Sequence, residues 1–151
     1  MRRRKQNKKI RNATSVKKGG FNFRSKLELF TYNQLKANKI PFSYEKEKFV
    51  LIDSFVYEGE SYEKKKRKGK GVFLKSSNKI PQATYLPDFT NLKDGWIIEC
   101  KGLRTEAFNL RWKMFKNTLA KKKKFYDLYM PGTKTQVLEV IQLIKQKYKE
   151  C

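Results

Sequence analysis

Two short runs, Leu86-Pro87-Asp88-Phe89 and Trp96-Ile97-Ile98-Glu99-Cys100-Lys101-Gly102, flank a segment that contains Asn91, Asp94 and Gly95. No other feature restricts the fold as much. Apolar runs bounded by Asn, Asp and Gly predict a β-hairpin. Side chains alternate faces along a strand, so Glu99 and Lys101 are expected on one face and Trp96, Ile98 and Cys100 on the other. The hairpin would return Asp88 beside Glu99, giving two carboxylates and an ammonium on one small surface. Cys100 falls on the apolar face and is expected to be a small core residue.

The flanking sequence supplies the remaining elements. A first helix is predicted over Ser25–Lys39: Ser25 and Glu28 have the spacing of a capping box, and Leu27, Phe30 and Leu35 form its buried side. Pro41 ends it. Phe42-Ser43-Tyr44 and Phe49-Val50-Leu51-Ile52 read as strands. A second helix is predicted over Thr105–Leu119, with Phe108, Trp112, Phe115 and Leu119 at helical spacing and facing the sheet. Phe125–Met130 reads as a strand, and Pro131-Gly132 turns into a last helix with Val137, Val140, Ile141, Ile144 and Tyr148 inward. The fold class is α/β, a small mixed sheet flanked by helices in the order α-β-β-β-α-β-α.

Two segments stand outside that pattern. Residues 1–20 contain no acid and many basic residues, and are expected to be a flexible basic arm. Residues 58–82 hold Lys64-Lys65-Lys66-Arg67-Lys68-Gly69-Lys70-Gly71, which cannot form core and is expected as a mobile loop or an exposed β-ribbon. The rest, 21–151, has the length of one domain carrying this insertion.

Charge and composition narrow the chemistry. Lys and Arg number 37 against 14 acidic residues, a formal net charge of +23. Such a surface attracts a polyanion, and nucleic acid is the obvious one. Arg24, Lys64, Lys65, Lys66, Arg67, Lys68, Arg104, Arg111, Lys113 and Lys116 are the candidates for contact with DNA. No apolar run approaches the roughly 20 residues that span a bilayer, and no leader is evident, so a soluble protein of the cytoplasm without a membrane partner is expected. The chain has no histidine. That excludes His bases, Ser-His-Asp and Cys-His nucleophilic sites and His-containing zinc sites. With only Cys100 and Cys151, cysteine alone cannot build a zinc site either. Catalysis would have to run on carboxylates, lysines, hydroxyls and a hard cation.

Asp88, Glu99 and the carbonyl of Cys100 could hold Mg²⁺, with Mn²⁺ as a substitute, because both take oxygen ligands. Lys101 would orient or deprotonate the attacking water and stabilise the charged transition state of phosphodiester hydrolysis. Glu28 has two readings: a capping residue, or a further carboxylate that helps hold the metal.

Pro87-Asp88 followed by Glu99-x-Lys101 resembles the PD-(D/E)xK nuclease signature. Phe23-Arg24-Ser25-Lys26-Leu27-Glu28, Phe42-Ser43-Tyr44-Glu45, Tyr85-Leu86-Pro87-Asp88-Phe89 and Ile98-Glu99-Cys100-Lys101-Gly102-Leu103 resemble, in the same order, the phage endonuclease I group of Holliday-junction resolvases and related small phage nucleases. The resemblance covers roughly residues 21–130. It implies a restriction-endonuclease-like fold, a homodimer acting on branched DNA, and Glu28, Asp88, Glu99 and Lys101 as the four active-site residues. The Lys-rich segment at 58–82 and the sequence after Met130 depart from the group's pattern. A same-fold nuclease acting on mismatches or DNA ends, and a non-catalytic basic nucleic-acid-binding protein, are the alternatives.

Overall fold

The computed structural model describes residues 15–148. Its elements run β1 (Val16–Lys18), β2 (Phe21–Phe23), α1 (Lys26–Ala37), β3 (Ser43–Tyr44), β4 (Phe49–Ile52), β5 (Phe55–Val56), β6 (Tyr62–Arg67) and β7 (Lys70–Lys75). They continue with β8 (Lys79–Ile80), β9 (Ala83–Tyr85), β10 (Phe89–Asn91), β11 (Trp96–Ile98), α2 (Glu106–Lys121), β12 (Asp127–Tyr129) and α3 (Lys134–Tyr148). The class is mixed α/β, with one four-stranded sheet ordered β12-β11-β10-β3 and several two-stranded pairs. Among the described residues, no helix is long and apolar enough to cross a membrane.

Contacts divide the chain into two units, one comprising residues 15–42, 98–103 and 128–148, the other 43–97 and 104–127. In the first, α1 lies against α3 and against β1 and β2. Phe23, Thr31 and Leu35 are buried there with Val137, Val140, Ile141 and Ile144, which line one side of α3. The expected inward face of α3 is therefore found, with Tyr148 only half-buried. On α1 the expectation shifts by a fraction of a turn: Leu27 and Phe30 are half-buried, while Thr31 and Leu35 are sealed. Thr31 is tolerated there because its hydroxyl donates to the Leu27 carbonyl at 2.9 Å.

Residues 16–20, expected within the basic arm, belong to the β1–β2 hairpin instead. Gly19 and Gly20 both have positive φ (59° and 82°), which two-residue hairpin turns of this hand require. The hairpin is held to α1 by aromatic contacts: Phe21 and Phe23 lie 5.7 and 5.0 Å from the Tyr32 ring. Residues 1–14 of the expected arm lie outside the described residues.

In the second unit, Phe115 of α2 is fully buried among Phe49, Tyr85 and Trp112, at centroid distances of 5.0, 4.6 and 5.6 Å. Phe108 and Leu119 are buried on the same stripe and Trp112 is half-buried. β10 pairs antiparallel with β3, Phe89 opposite Tyr44. The turn after β10 uses the expected residues. The Asp94 N–H donates to Asn91 Oδ1, the Gly95 N–H donates to the Asn91 carbonyl, and Gly95 sits at φ 95°.

Residues 49–85 form one long antiparallel ribbon. β4 pairs with β9, β5 with β8, and β6 with β7. Tyr57 N–H to Asn78 carbonyl and Ser76 N–H to Ser61 carbonyl, each 2.8 Å, carry the pairing between these segments. Lys68 and Gly69, both at positive φ, close the tip. The Lys-rich segment is thus the ribbon of the two expected forms, and these extra strands are what the expected element order lacked.

The strand expected over Phe125–Met130 is shorter. Lys123 takes a left-handed φ of 52° after α2, so the chain is still turning there and Phe125 is exposed before β12 begins at Asp127. The Asp127 N–H donates to the Gly95 carbonyl, the Glu99 N–H to Tyr129, and the Lys101 N–H to Pro131. Both partners advance in the same direction, so β11 and β12 run parallel, with α2 as the connection between them.

Phe115→Ala is expected to lower unfolding free energy by about 3–5 kcal/mol, as for a large buried aromatic. Urea denaturation measures this; a loss near about 0.5 kcal/mol, typical of surface substitutions, would contradict the packing described.

Candidate functional site

Of the acidic residues described, Glu28, Asp88 and Glu99 are the buried ones, at 5%, 7% and 8% exposure. Carboxylates are rarely buried unless hydrogen bonds, cations or metal ions compensate the lost hydration. In a chain with 37 basic residues, most acids can find compensation at the surface, so these three call for individual explanation.

Glu28 has a local one. Ser25 caps α1, its hydroxyl oxygen accepting from the Glu28 N–H at 3.1 Å. The Glu28 carboxylate returns to the helix start: Oε2 accepts from the Arg24 N–H at 3.0 Å, and Oε1 from the Ser25 hydroxyl at 3.0 Å. The backbone donor is the residue before the cap rather than the cap itself, one position earlier than the usual box. A carboxylate at the first turn also meets the positive end of the helix dipole.

Glu99 directly follows β11 and Asp88 directly precedes β10. Glu99 and Lys101 belong to the first unit and Asp88 to the second. Within the first unit, the Glu99 and Lys101 N–H groups donate at 2.9 and 3.0 Å to the Tyr129 and Pro131 carbonyls. Two donors spaced two residues apart on one edge mark an extended backbone, whose alternate residue presents its N–H and C=O to the opposite edge. Cys100 is that residue. Its thiol is buried, with Sγ 3.2 Å from Thr31 Oγ1, as expected for a core cysteine. Lys101 is half-buried. Within the second unit, the Asp88 carbonyl accepts from the Glu45 N–H at 2.8 Å, fixing the backbone that leads into β10.

The expected one-sided alternation along β11 is not what burial shows. Trp96, Ile97 and Ile98 are all fully buried, so both faces of this strand are covered, and Glu99 extends a sealed segment rather than a wet face. A strand covered on both sides reads as a continuous apolar run, and Trp-Ile-Ile is one.

The donor chemistry suits a hard cation: two carboxylates and a main-chain carbonyl are all oxygen ligands, and Mg²⁺ needs only one or two carboxylates because it retains water. Among the described residues, no group of three or more Asp, Glu or Cys side chains is gathered to hold a metal ion.

All ten candidates for DNA contact are exposed. Lys64 to Lys68 occupy the ribbon up to its turn. Arg24 lies between β2 and α1, and Arg104 precedes α2. Arg111, Lys113 and Lys116 lie on α2, but a rotation of about 100° per residue spreads them around the exposed side. They do not line up as a stripe. Lys116 Nζ sits 5.7 Å over the Trp112 ring. Sequence reasoning passed over Tyr62 and Phe73, whose rings stack on the ribbon with centroids 5.8 Å apart. The signal was present as the β-prone apolar run Val72-Phe73-Leu74 shortly after the Lys68-Gly69 turn.

Residues 7–135 match a protein family described as "Protein of unknown function (DUF1064)". No curated protein and no solved structure matches the chain.

Ser25→Ala should destabilise by about 1 kcal/mol, as loss of a helix cap does. Glu28→Ala should cost more, about 1–3 kcal/mol, because it strands a backbone N–H and a hydroxyl together; Glu28→Gln, which keeps one of the two acceptor oxygens, should fall between Glu28→Ala and wild type. Thermal unfolding of the three variants tests the order, and equal stability of Glu28→Ala and wild type would refute the cap.

Proposed function

We propose that this chain, which belongs to the DUF1064 family, is a metal-dependent endodeoxyribonuclease of restriction-endonuclease-like fold that cuts branched DNA. One observation carries the reading: in a chain of net charge +23, Asp88 and Glu99 are withdrawn from water at the flanks of β10 and β11, neighbouring strands of one sheet. Further support comes from Lys101, two residues beyond Glu99, and from the order of motifs shared with the PD-(D/E)xK nucleases.

In this reading Asp88, Glu99 and the Cys100 carbonyl hold the cation. A bound Mg²⁺ supplies Lewis acidity toward the phosphoryl oxygen. The chain's own residues do the rest. Lys101 positions the attacking water and, as a compact ammonium, stabilises the negative charge of the transition state. The ladder to Tyr129 and Pro131 fixes the backbone from which the Glu99 and Lys101 side chains extend. Glu28 serves at the start of α1, since both its oxygens accept hydrogen bonds there. The exposed lysines and arginines supply phosphate contacts, and a homodimer would supply two cutting sites to a branch.

The net charge of +23 also suits the other reading, a basic nucleic-acid-binding protein without catalysis. Incubation with a four-way junction, a duplex and a single strand, in Mg²⁺ or in EDTA, separates the two. The nuclease cuts only with the cation, and Mn²⁺ substitutes. Retention of DNA without cutting in either condition would leave the binding protein.

Asp88→Asn and Glu99→Gln are expected to abolish cleavage while DNA affinity stays equal or rises, because less negative charge opposes the phosphate. Gel-shift and cleavage assays run in parallel decide this, and an affinity that collapses with activity would make both residues structural. Lys101→Ala should slow single-turnover cleavage by about 100-fold or more with metal affinity unchanged by calorimetry; loss of metal binding would contradict its role.

A further inference from the structure

The two faces of the β6–β7 ribbon are chemically different. Residues paired across antiparallel strands share a face, and the pairs are Tyr62 with Lys75, Lys64 with Phe73, and Lys66 with Gly71 on one side. The other side carries Glu63 with Leu74, Lys65 with Val72, and Arg67 with Lys70. Val72 and Leu74 are half-buried, but on the first face Phe73 is 72% exposed and Tyr62 49%. Their rings stack with an interplanar angle of 24°. Gly71 leaves a gap on this face that the Lys64 stem fills, since a Cβ there would collide with Lys64 Cε. Glu60 accepts from Lys75 Nζ at 2.9 Å and from the Tyr62 hydroxyl at 3.4 Å, which anchors the edge of the Tyr62 ring.

An exposed, pre-stacked aromatic pair keeps ring surface in water that a flat partner would cover. Over Tyr62–Lys75 the chain carries seven basic residues and one acid, so the partner is anionic as well as flat. We infer that this face is a stacking platform for an unpaired nucleobase, with Phe73 taking the base and Lys64 and Lys66 the flanking phosphates. Aromatic faces flanked by cations are how single-stranded nucleic acid is held without sequence preference. A duplex offers base faces only at its two ends, so the platform favours DNA or RNA that is single-stranded, frayed or open at a branch. The inference deepens the nuclease reading, on which it rests for its biological role, by naming the form of nucleic acid the protein would recognise.

The test uses the full chain in EDTA and fluorescence anisotropy, with labelled single-stranded DNA, the matching RNA, an abasic version of the DNA strand and a blunt duplex as probes. Phe73→Ala should weaken binding of a single strand about tenfold, and leave the duplex and the abasic strand within about twofold. Phe73→Trp should restore affinity and show indole quenching on strand addition. Loss on the DNA or the RNA strand supports stacking, and their ratio tells which sugar is preferred. Equal loss on every probe, or none on any, overturns it. Phosphatidylserine vesicles form a further arm: vesicle binding that falls with Phe73→Ala while strand binding does not would assign the face to lipid and overturn the inference. Cutting plays no part in this readout. A protein that stacks a base but never cuts would sink only the nuclease reading; one that cuts and ignores Phe73→Ala would sink only this one.

Discussion

β11 is removed from water on both faces, and much of the rest follows from that. Trp96, Ile97 and Ile98 are fully buried in succession, and each such side chain contributes about 1.5–3 kcal/mol on leaving water. A slip of one residue would carry Glu99 into the position of a sealed isoleucine, so the register is strongly specified. The backbone then continues the ladder past the strand, Glu99 to Tyr129 and Lys101 to Pro131. Gly132 follows directly and leaves room there: a Cβ at that position would lie 3.1 Å from the Lys101 carbonyl oxygen, a tight contact. The Glu-x-Lys spacing is thus set by main-chain hydrogen bonds and by apolar burial upstream, not by the charged side chains themselves.

Burial also governs what the acids can do. Any exposed carboxylate on a chain of net charge +23 has lysines close at hand, as Glu60 and Lys75 illustrate at 2.9 Å with both partners solvent-exposed. Such pairs are worth little and exchange readily with solvent ions. Asp88 and Glu99 are buried instead, at 7% and 8% exposure, so the polar partners they hold act where water competes less.

The legible parts of this fold are those set by near neighbours in sequence. Ser25 and Glu28 announced the start of α1, Asn91 to Gly95 the turn after β10, and Phe108, Phe115 and Leu119 the inward stripe of α2, since each depends on residues within a turn or two. Illegible were the parts decided by distant partners. β4 pairs with β9 across some thirty residues, and nothing in Phe49–Ile52 names Ala83–Tyr85. The full burial of Ile97, which shares a face with Glu99 and Lys101, was not legible because its cover comes from elsewhere in the fold. The β1–β2 hairpin was hidden by charge: Lys17 and Lys18 read as arm, although Gly19-Gly20 between short runs is a turn signal. At the site, Asp88, Glu99 and Lys101 were recognisable one at a time, and so was the double meaning of Glu28. That its carboxylate reaches Arg24 rather than only Ser25 depends on side-chain geometry that spacing does not encode.

The ribbon poses a physical problem of its own, since isolated two-stranded hairpins are marginal in water and this one is loaded with positive charge. Continuity answers the first part: the pairing runs from the tip down to Phe49 and Tyr85, which are packed on Phe115. Register answers the second. Like charges directly opposite are destabilising, and Lys64, Lys65 and Lys66 instead face Phe73, Val72 and Gly71. Each lysine stem can then cover apolar surface while its ammonium stays in water. Only Arg67 and Lys70, next to the turn, oppose each other within β6 and β7. The repulsion that remains runs along the strand, among lysines whose side chains alternate faces, and Glu63 is the one acid within those two strands. An anion laid along the ribbon would relieve that repulsion.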